Sequence, residues 1–433
     1  MNDMSPRHLP PPDGGPEDTA RPRRVRSGPV GVLDIGSTKI VCLIGGQEPD
    51  GSLRVAGFGW HRGKGVRGGG IVDLEEARHA IRAAVGQAED MAVTSLREVV
   101  VNLSCGQPES RLLNVQWPVG GRPVEEADIR RVMAEGRARA ESGGRETIHA
   151  LPLTFSTDQT EGVGDPRGLF CDTLTARLHI IDAASGALRS LGACVARCDL
   201  EIAEMVSAPM AAGLAVLMED ERELGATVID MGGGTTGMAV FAEGQLLHTA
   251  QLPVGGQHVT NDIARVLSTP VAHAERLKAL YGNASGCSDD SQEMLPVPLI
   301  GEDDHHLAQV PRSMLVNIIR PRLEETFELV KQRLESSGLT RAAGNRVVLT
   351  GGACQLGGVR ELAAQILDKQ VRLGRPTALR GLPDAAAGPA FATAGGLLAW
   401  AAGGGRRMPE IDLDPPARGG LLRRTFSFIK ERL

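Results

Sequence analysis

The chain has 433 residues, of which 42% are hydrophobic, and a formal net charge of -6. This length fits roughly two to four domains of about 100–200 residues with large buried cores, and the acidic balance argues against nucleic-acid binding. The seven cysteines are scattered without a C-x-x-C pair, so the sequence predicts reduced thiols rather than a disulfide framework or a zinc site.

Residues 1–28 form a polar tract rich in proline and arginine. We expect a disordered tail there, because this composition cannot bury enough apolar surface to fold. The tract also lacks the apolar core of a signal peptide. The longest apolar run, residues 205–218, is interrupted by Ser207 and Pro209 and is too short to span a bilayer. The sequence therefore predicts a cytoplasmic protein.

An apolar strand that starts near Val30 ends in an Asp-x-Gly turn. The turn contains Asp34, Gly36, Ser37, Thr38 and Lys39. Glycine lets backbone N–H groups converge on a phosphate, the hydroxyls add donors, and the carboxylate can face a metal-bound water. The same pattern is also a common hairpin turn, so one copy alone does not identify a phosphate site.

The residues after this turn predict an α/β layer. Residues 40–44 complete a hairpin, and residues 63–70 are rich in glycine without a Gly-Lys-Ser/Thr ending, which favours a flexible loop over a P-loop. Asp73, three residues before Glu76, predicts a capped helix start, and residues 99–103 return as a strand.

The stretch from 110 to 188 predicts a small α+β insertion. It contains a predicted helix over 124–141 and short predicted strands near 147–156 and 174–181. A charged connector at 219–223 then leads into the second half of the chain.

The second half repeats the Asp-x-Gly ending. A predicted strand over 227–230 turns over in a triple-glycine segment, and strands are predicted at 237–242 and 245–250. The turn contains Asp230, Gly232, Gly233, Gly234, Thr235 and Thr236. Two such turns in one chain predict two related half-domains that grip one nucleotide.

The residues after Gly256 are mainly helical in pattern. Residues 283–310 are polar and predict a loop or a small hairpin. Residues 312–336 keep helical apolar spacing, and Pro321 within them should kink or break the helix.

A third informative element is the strand at 346–350, which ends in Gly351 and Gly352. Ligands of α/β folds bind at the carboxyl ends of strands, and paired glycines there let a base or ribose approach the backbone. Two phosphate-type turns followed by this strand end resemble the ATPase superfamily of actin, sugar kinases and heat-shock chaperones. In addition, Gly256, Glu275 and Lys278 are similar to the residues of that superfamily that contact the adenosine ribose.

Within this superfamily the chain resembles the FtsA family of bacterial cell-division proteins, from about Val30 to its last residue. The resemblance is carried by residues 33–39, 219–225, 228–240 and 318–325. It implies an α/β, actin-like (ribonuclease H-like, duplicated) ATPase fold with an inserted small α+β subdomain. The implied division is 29–109, 189–222 and about 388–402 for subdomain IA, 110–188 for the inserted subdomain IC, 223–258 and 345–387 for IIA, and 259–344 for IIB.

The resemblance implies ATP and Mg²⁺ as ligands, with Asp34 and Asp230 facing Mg²⁺ mainly through water and both turns holding the phosphates. Chaperone-type ATPases carry a carboxylate just before the proline that opens the connecting helix. Here that segment reads Ser207-Ala208-Pro209, so we expect ATP to act chiefly as a structural ligand and switch, with slow turnover.

The resemblance also implies a protein that polymerises and tethers FtsZ filaments to the cytoplasmic face of the inner membrane. Later division proteins are expected to bind the inserted subdomain. The acidic FtsZ C-terminal tail is expected on the helix with Arg320, Arg322 and Glu325, since arginines beside an apolar groove suit such a peptide. An ordinary solvated helix face explains these three residues nearly as well.

The last residues predict a membrane anchor. Residues 403–420 read as a flexible linker and residues 421–433 as a basic amphipathic helix. The residues expected at an anionic membrane are Leu422, Arg423, Arg424, Phe426, Phe428, Ile429, Lys430 and Leu433. A helix that docks back on its own domain is the open alternative.

Two other functions stay open from the sequence. One is a small-molecule kinase of the same superfamily, which would need a carboxylate to activate its acceptor, and the other is a scaffold ATPase of a pilus or secretion machine. His305 and His306 lie in a polar stretch without clustered ligand residues, which predicts solvated side chains rather than a metal site.

Overall fold

The structure is a computed structural model that describes residues 28–141, 143–286, 292–302, 307–377 and 379–403. Each predicted Asp-x-Gly strand lies in the interior of a separate sheet, one of six strands and one of five. The two halves of the chain are therefore each built around one of these turns.

The first sheet places the strand of Asp34 between an antiparallel and a parallel neighbour. Its strands, in spatial order, are β10 (Glu201–Ser207), β6 (Glu98–Leu103), β1 (Val30–Ile35), β2 (Lys39–Gln47), β3 (Leu53–Arg62) and β18 (Leu379–Arg380). Strand β1 runs antiparallel to β2 and parallel to β6. The turn after β1 thus lies at the edge where β6 and β10 also end.

Helix α1 (Leu74–Ala92) covers one face of this sheet. The Asp73 carboxylate accepts hydrogen bonds from the backbone of Glu75 and Glu76 at 3.1 and 3.0 Å, which confirms the predicted helix start. The buried side of the helix consists of small and branched residues, including Ala77 and Ile81, which permits close packing on the sheet.

The second sheet has the same local order as the first. Its strands are β13 (Gln245–Leu252), β12 (Thr236–Ala242), β11 (Ala226–Met231), β16 (Arg346–Thr350) and β17 (Gln370–Leu373). Strand β11 runs antiparallel to β12 and parallel to β16, as β1 does with β2 and β6. The sequence repeat therefore extends to the topology of the two sheets.

The two halves share a core. Helices α4 (Ala208–Val216) and α10 (Ala392–Ala401) pack against each other and contact apolar residues of β1, β2, β11 and β12. Residues such as Met210 and Leu397 belong to this shared cluster and are almost completely buried. The relative position of the two sheets is therefore fixed by apolar packing as well as by the contacts at the turns.

The inserted subdomain consists of β7 (Glu109–Pro123), α2 (Glu126–Ala140), β8 (Arg145–Ser156) and β9 (Phe170–Ala184). Its sheet has the order β7-β9-β8, with both pairings antiparallel, and α2 packs on it. No strand is predicted between residues 110 and 124, so β7 was missed. Apolar residues do recur at every second position of β7, at Leu113, Val115, Trp117 and Val119, and they pack in the core of the subdomain, so the sequence carried a strand signal that was not used.

The second half carries a helical insertion at a different place, between β13 and β16 rather than after the parallel neighbour of the central strand. It contains α6 (Gly256–Val266), α7 (Val271–Tyr281), a hairpin of β14 (Met294–Pro298) and β15 (Leu307–Pro311), and α8 (Arg312–Ser336). The hairpin confirms one of the two predictions for the polar stretch. Helix α9 (Val359–Leu367) follows β16 and packs on α8.

Pro321 lies inside α8 without breaking it, so the prediction of a break is wrong. A proline in a helix interior costs about 3 kcal/mol. Eight residues of α8 are buried, among them Leu323 and Phe327, and fully burying one such side chain contributes about 1.5–3 kcal/mol. The apolar face of the long helix outweighs its one unfavourable residue.

Two further segments are more regular than the sequence predicts. The glycine-rich stretch 63–70 is not a loop throughout, because β4 (Val66–Arg67) and β5 (Gly70–Ile71) form a small hairpin. The connector at 219–223 is a short helix, α5 (Glu219–Leu224), whose Glu221 carboxylate accepts hydrogen bonds from Met218 N and from the Arg372 guanidinium.

All cysteines among the described residues are buried and unpaired, which confirms the expectation of reduced thiols for those six. Within the described ranges, no helix combines the length and the apolar character needed to cross a lipid bilayer.

Candidate functional site

The two Asp-x-Gly turns have the same backbone hydrogen bond. Gly36 N donates to Lys39 O at 3.0 Å, and Gly232 N donates to Thr235 O at 2.9 Å. Each bond closes the turn between a central strand and its antiparallel neighbour. The backbones of both turns are therefore shaped alike.

The turns face each other at very short range. A Cβ atom added to Gly233 would lie 1.9 Å from Thr38 Oγ1, and one added to Gly234 would lie 2.4 Å from Ser37 Oγ. The hydroxyls of the first turn thus lie directly against the backbone of the second, an approach that a side chain on either glycine would obstruct. Gly69 N, from the β4–β5 hairpin, donates to Ser37 Oγ at 3.5 Å.

Asp34 and Asp230 lie beside the turns as two buried carboxylates. Burial raises the pKa of Asp34 to about 7, while Lys39 lowers it and Asp230 raises it. Burial also raises the pKa of Asp230, against a hydrogen bond that Thr393 Oγ1 donates to Asp230 Oδ2 at 2.9 Å. Lys39 lowers the pKa of both carboxylates, and two buried carboxylates that influence each other favour a further cation beside them.

The Lys39 ammonium connects the first turn to the start of α10. It donates a hydrogen bond to Ala390 O and lies 4.1 Å from the centroid of the Phe391 ring. Thr393, which binds Asp230, belongs to the same segment. One short piece of chain before and within α10 therefore contacts functional groups of both turns.

The Gly-Gly strand end packs directly on the second carboxylate. Gly351 has a φ of +86°, and a Cβ atom there would lie 2.4 Å from Asp230 Oδ1 and 2.5 Å from Met231 O. The position therefore requires glycine for both its backbone conformation and its contacts. The adjacent Gly352 is open, since the nearest atom to an added Cβ would be Ala390 Cβ at 3.9 Å.

A polar cluster on α6 and α7 forms the opposite end of the site. Lys278 Nζ donates to Gly256 O at 3.1 Å, to Thr260 Oγ1 at 2.8 Å and to Glu275 Oε2 at 2.7 Å. Gly256 N in turn donates to Gly232 O at 2.9 Å. The cluster is thereby joined to the second turn through the first residue of α6.

These elements enclose a cavity of about 480 Å³ between the two halves. This volume lies within the range of small-molecule sites. The predicted residues that line it are Asp34, Gly36, Ser37, Thr38, Lys39, Asp230, Gly232, Gly233, Gly234, Thr235, Gly256, Glu275, Lys278, Gly351 and Gly352.

Comparison with known proteins identifies the family. A family model described as Cell division protein FtsA matches residues 227–396, and one described as SHS2 domain inserted in FTSA matches residues 106–182. The Cell division protein FtsA of Rhizobium meliloti (strain 1021) is 44% identical over 406 residues, which cover 91% of this chain and 90% of that protein. The chain belongs to the FtsA family.

Solved structures support the actin-like fold. The PilM-PilN type IV pilus biogenesis complex matches with a TM-score of 0.62 and 18% identity, over 86% of this chain and 98% of that chain. MreB 5 of Spiroplasma citri bound to AMPPNP matches with a TM-score of 0.52 and 13% identity, over 86% and 95%. Together with the SHS2 match, these similarities confirm the predicted actin-like fold with an inserted subdomain. At 18% identity, the similarity to the pilus complex shows a common fold and carries no conclusion about function.

Thr236 is the one predicted nucleotide residue outside the cavity lining. It is fully buried at the start of β12, and its hydroxyl donates to Val254 O at 2.8 Å. Adjacent strand residues point to opposite faces, so the Thr235 side and the Thr236 side of the turn diverge. The Thr236 hydroxyl therefore stabilises the turn from the protein interior and not from the cavity.

Several cavity residues have no counterpart in the sequence predictions, among them Asn102, Ser104, Gln251 and Thr393. Asn102 Oδ1 accepts a hydrogen bond from Ile35 N at 2.7 Å and so holds the first turn. Its position at the carboxyl end of the predicted strand 99–103 was a usable signal, because ligands bind at such ends. Gln251 and Thr393 carry no comparable signal.

Ser207, the residue in place of the chaperone carboxylate, is buried at the end of β10 and does not line the cavity. Its backbone N–H donates to His149 Nε2 at 3.1 Å. Ala208 and Pro209, which follow it, do line the cavity and present no acidic group there.

The residues predicted for the partner lie on α8 and are already engaged in ion pairs. Arg322 makes a bidentate pair with Asp262, at 2.6 and 3.1 Å, and a further pair with Glu325. Arg320 Nε donates to Glu324 Oε1 at 2.7 Å.

The predicted tail 1–28, except its last residue, and the predicted linker and membrane helix, from residue 404 onward, lie outside the described residues. His305 and His306 lie outside them as well.

Proposed function

We propose that the cavity binds ATP with Mg²⁺ and that the nucleotide sets the relative position of the two halves, with slow turnover. The observation that carries this proposal is the pair of matching glycine turns that meet over two buried carboxylates. Backbone N–H groups of Ser37, Thr38, Gly233 and Gly234 would hold the phosphates, aided by the Lys39 ammonium, while the N–H of Gly36 closes its own turn. Mg²⁺ would neutralise phosphate charge, with Asp34 and Asp230 facing it mainly through water.

The remaining predicted residues would hold the adenosine. Gly256, Glu275 and Lys278 would face the ribose, and Gly351 and Gly352 would let the base approach the backbone. The proposal is supported by their position on one cavity with both turns. MreB 5 of Spiroplasma citri, a distant protein of the same fold, is bound to AMPPNP, which agrees with a nucleotide site in this fold.

We further propose that the protein polymerises and anchors FtsZ filaments at the cytoplasmic face of the inner membrane as a peripheral protein, and that later divisome proteins bind the inserted subdomain. Membership of the cell-division family supports this role. The FtsZ tail would bind on α8, where its carboxylates would replace the intramolecular partners of Arg320 and Arg322. Glu325 would be released by the same exchange.

Residues 421–433 would provide the contact with an anionic membrane, because the segment combines an apolar stripe with basic side chains. The test compares the full chain with a chain ending at Gly420 in flotation with anionic vesicles, with and without ATP and FtsZ. We expect the shortened chain to lose vesicle binding and FtsZ recruitment while its ATP affinity is unchanged. Unchanged vesicle binding would refute the anchor.

The partner site is tested separately by charge reversal of Arg322 to Glu. We expect weaker binding of an FtsZ tail peptide, because an acidic peptide loses its cationic partner. Arg360→Glu is the matched control, since Arg360 also pairs with a neighbouring carboxylate, Glu361, but lies on α9. Equal peptide affinity of both variants would remove Arg322 from the site.

A further inference from the structure

The inserted subdomain meets the second half of the chain at β13, the edge strand of the second sheet. Ser110, on β7, lies at the centre of this contact. Its Oγ lies 2.6 Å from His179 Nε2 and 3.1 Å from His248 Nδ1, and it accepts a hydrogen bond from Thr249 N at 3.2 Å. His179 Nδ1 lies 3.0 Å from Leu246 O. These five residues form the Ser110 cluster.

The chemistry of the cluster assigns a direction to each of its hydrogen bonds. The Leu246 carbonyl can only accept, so His179 Nδ1 carries a proton and donates it. Burial lowers the pKa of His179 to about 4, so its ring is neutral at neutral pH and its Nε2 accepts the Ser110 hydroxyl proton. The Ser110 oxygen then accepts from Thr249 N and from His248 Nδ1. Three of these four hydrogen bonds join the inserted subdomain to β13.

The inserted subdomain is also held to the first half. His149 Nε2, on β8, accepts a hydrogen bond from Ser207 N at 3.1 Å, directly before α4. The His149 ring lies edge-on to the ring of Trp400 on α10, with centroids 5.8 Å apart. Leu151 and Ile181 contribute to the apolar core that the two halves share. The subdomain therefore contacts both helices at the junction of the halves as well as the edge of the second sheet.

The Ser110 cluster continues a contact that forms part of the cavity wall. Ser104 O, in the first half, accepts a hydrogen bond from Gln251 Nε2 in the second half at 3.1 Å, and both residues line the cavity. A second contact between the same two segments joins Ser110 to Thr249. None of the five residues of the Ser110 cluster lines the cavity. The cluster thus joins the halves beside the cavity without contributing to its surface.

We infer that the Ser110 cluster holds the two halves in the arrangement that binds ATP, so that ATP binding and the docking of the inserted subdomain on β13 strengthen each other. This inference rests on the proposed ATP site. A nucleotide held by groups of both halves favours the arrangement in which they lie together, and the cluster favours the same arrangement from outside the cavity. Ser110 is therefore a positioning residue.

The polar character of the cluster makes this docking sensitive to a ligand. Water can replace the hydrogen bonds of the cluster when the two surfaces part, so their net contribution is modest and a ligand can shift the balance. Because linkage is reciprocal, a protein that binds the inserted subdomain in its docked position would also raise the affinity for ATP. The inserted subdomain would thereby connect its own partners to the nucleotide site.

The test compares the wild type with Ser110→Ala, Ser110→Thr and Ser190→Ala in the full chain. The alanine at 110 removes the shared hydroxyl, whereas threonine retains it. Ser190→Ala is the matched control, because the Ser190 hydroxyl donates to Gly186 O at 3.0 Å within α3 and lies outside the cavity lining. ATP affinity is measured by competition with a fluorescent nucleotide.

The second measurement is hydrogen exchange of single amides with and without ATP, followed by NMR on deuterated protein. The Thr249 amide reports on the cluster, because it donates to Ser110 Oγ. The Phe155 amide is the internal control, since it donates to Val163 O at 2.8 Å within the inserted subdomain. The wild type alone tests the linkage here, independently of how well any variant folds.

We expect ATP to slow exchange of the Thr249 amide in the wild type by about threefold or more and to leave the Phe155 amide unchanged. Ser110→Ala should lower ATP affinity by about threefold to tenfold and lose this protection of Thr249. Ser110→Thr and Ser190→Ala should bind ATP within about twofold of the wild type. A role of Ser110 limited to the fold of the inserted subdomain predicts instead faster exchange at Phe155 with unchanged ATP affinity.

Three outcomes would overturn the inference while ATP binding stands: no effect of ATP on the Thr249 amide of the wild type, wild-type affinity in Ser110→Ala, or the same loss of affinity in Ser190→Ala as in Ser110→Ala. Equal losses in the Ala and Thr variants at position 110 would also overturn it, because the hydroxyl would then not be the group that matters. Failure of the wild type to bind ATP would instead refute the proposed site, and the inference with it. The wild-type affinity therefore separates the two failures.

Discussion

The two Asp-x-Gly turns share a backbone but differ in the groups they present. The first has one glycine at its centre, two hydroxyls and the ammonium of Lys39, whereas the second has three consecutive glycines and no charge before β12. The two turns thus have the same backbone shape but present different chemical groups. The first turn supplies side-chain donors and charge, and the second supplies backbone that can approach closely.

The two carboxylates differ in a parallel way. The charge of Lys39 lowers the pKa of both carboxylates, but Asp230 also accepts a hydrogen bond from the Thr393 hydroxyl and packs against Gly351. The second carboxylate therefore has a hydrogen bond and a steric contact in addition to the charge that acts on both. Substitutions on the second turn should act through steric effects, and those on the first through electrostatics.

Gly351→Ala should have the largest effect, because it breaks the fit of the second carboxylate. The new Cβ would meet Asp230 Oδ1 and Met231 O in a backbone conformation that alanine rarely adopts. We expect a loss of about 2–4 kcal/mol in the free energy of unfolding, with ATP binding lost or strongly weakened. Urea unfolding and nucleotide competition measure both effects.

Gly352→Ala is the matched control for this substitution. It lies next to Gly351, also lines the cavity, and leaves the added Cβ without a close contact. Its stability should stay within about 0.5 kcal/mol of the wild type. If both variants unfold at the same urea concentration, the steric explanation of the second turn is wrong.

Lys39→Gln tests the charge of the first turn. Hydrogen bonds to charged groups contribute roughly 1.5–3 kcal/mol, so ATP affinity should fall by about tenfold to a hundredfold. Thr235→Val, the comparable change in the second turn, removes a neutral donor and should cost no more than about 1.5 kcal/mol. The comparison is read from nucleotide competition, and equal losses would contradict the division of chemistry between the turns.

Much of this site could be predicted because its parts are local in sequence. Asp34, Asp230, Gly351 and their neighbours are recognisable by short patterns in which glycine and a carboxylate end an apolar strand. Thr236 could not be assigned in the same way, because the end of the turn and the start of β12 fall between two adjacent threonines. A single residue of register decides which hydroxyl faces the cavity.

The residues that were missed are brought to the site by topology. Gln251 and Ser104 lie in different halves and meet across the cleft, and Thr393 comes from the last described helix. Gln251 and Thr393 stand in no pattern that suggests a ligand. The prediction of a break at Pro321 was wrong for a related reason. The apolar face of α8 packs on residues distant in sequence, and this packing outweighs the local preference of proline.

The inserted subdomain offers a pH-dependent test of the contact between the halves. Ser110 Oγ lies 2.6 Å from His179 Nε2 and 3.1 Å from His248 Nδ1, and so bridges β7 and β9 to β13. Burial lowers the pKa of His179 to about 4 and that of His149 to about 3, below the ordinary value of 6.5. His248 and Arg137 are cationic or titratable groups that oppose their protonation.

Because the unfolded chain binds these protons more readily, the stabilising effect of the neutral histidines is complete above about pH 6.5 and declines as the pH falls toward 4. Unfolding midpoints in urea at pH 7.5, 6.0 and 5.0 measure this decline. His179→Gln should reduce the slope, since one titrating group is removed. An identical slope in both proteins would mean that other groups carry the pH dependence.

The smallest expected effects come from the segment at the start of α10, which contacts each turn through a different side chain. Thr393→Val keeps the shape but removes the donor to Asp230, and should cost about 0.5–1.5 kcal/mol of stability. Phe391→Leu removes the ring beside Lys39 and should cost about 0.5–1 kcal/mol through the lost cation–π contact, in addition to lost packing.

These two substitutions act on different turns, so their effects should nearly add in the double variant if the turns are energetically independent. Both contacts, however, hold the same short segment of backbone before and within α10. Loss of either one should loosen the other, and we therefore expect the double variant to lose less than the sum of the single losses. Urea unfolding of the four proteins measures this coupling, and strict additivity would show that α10 does not join the two turns.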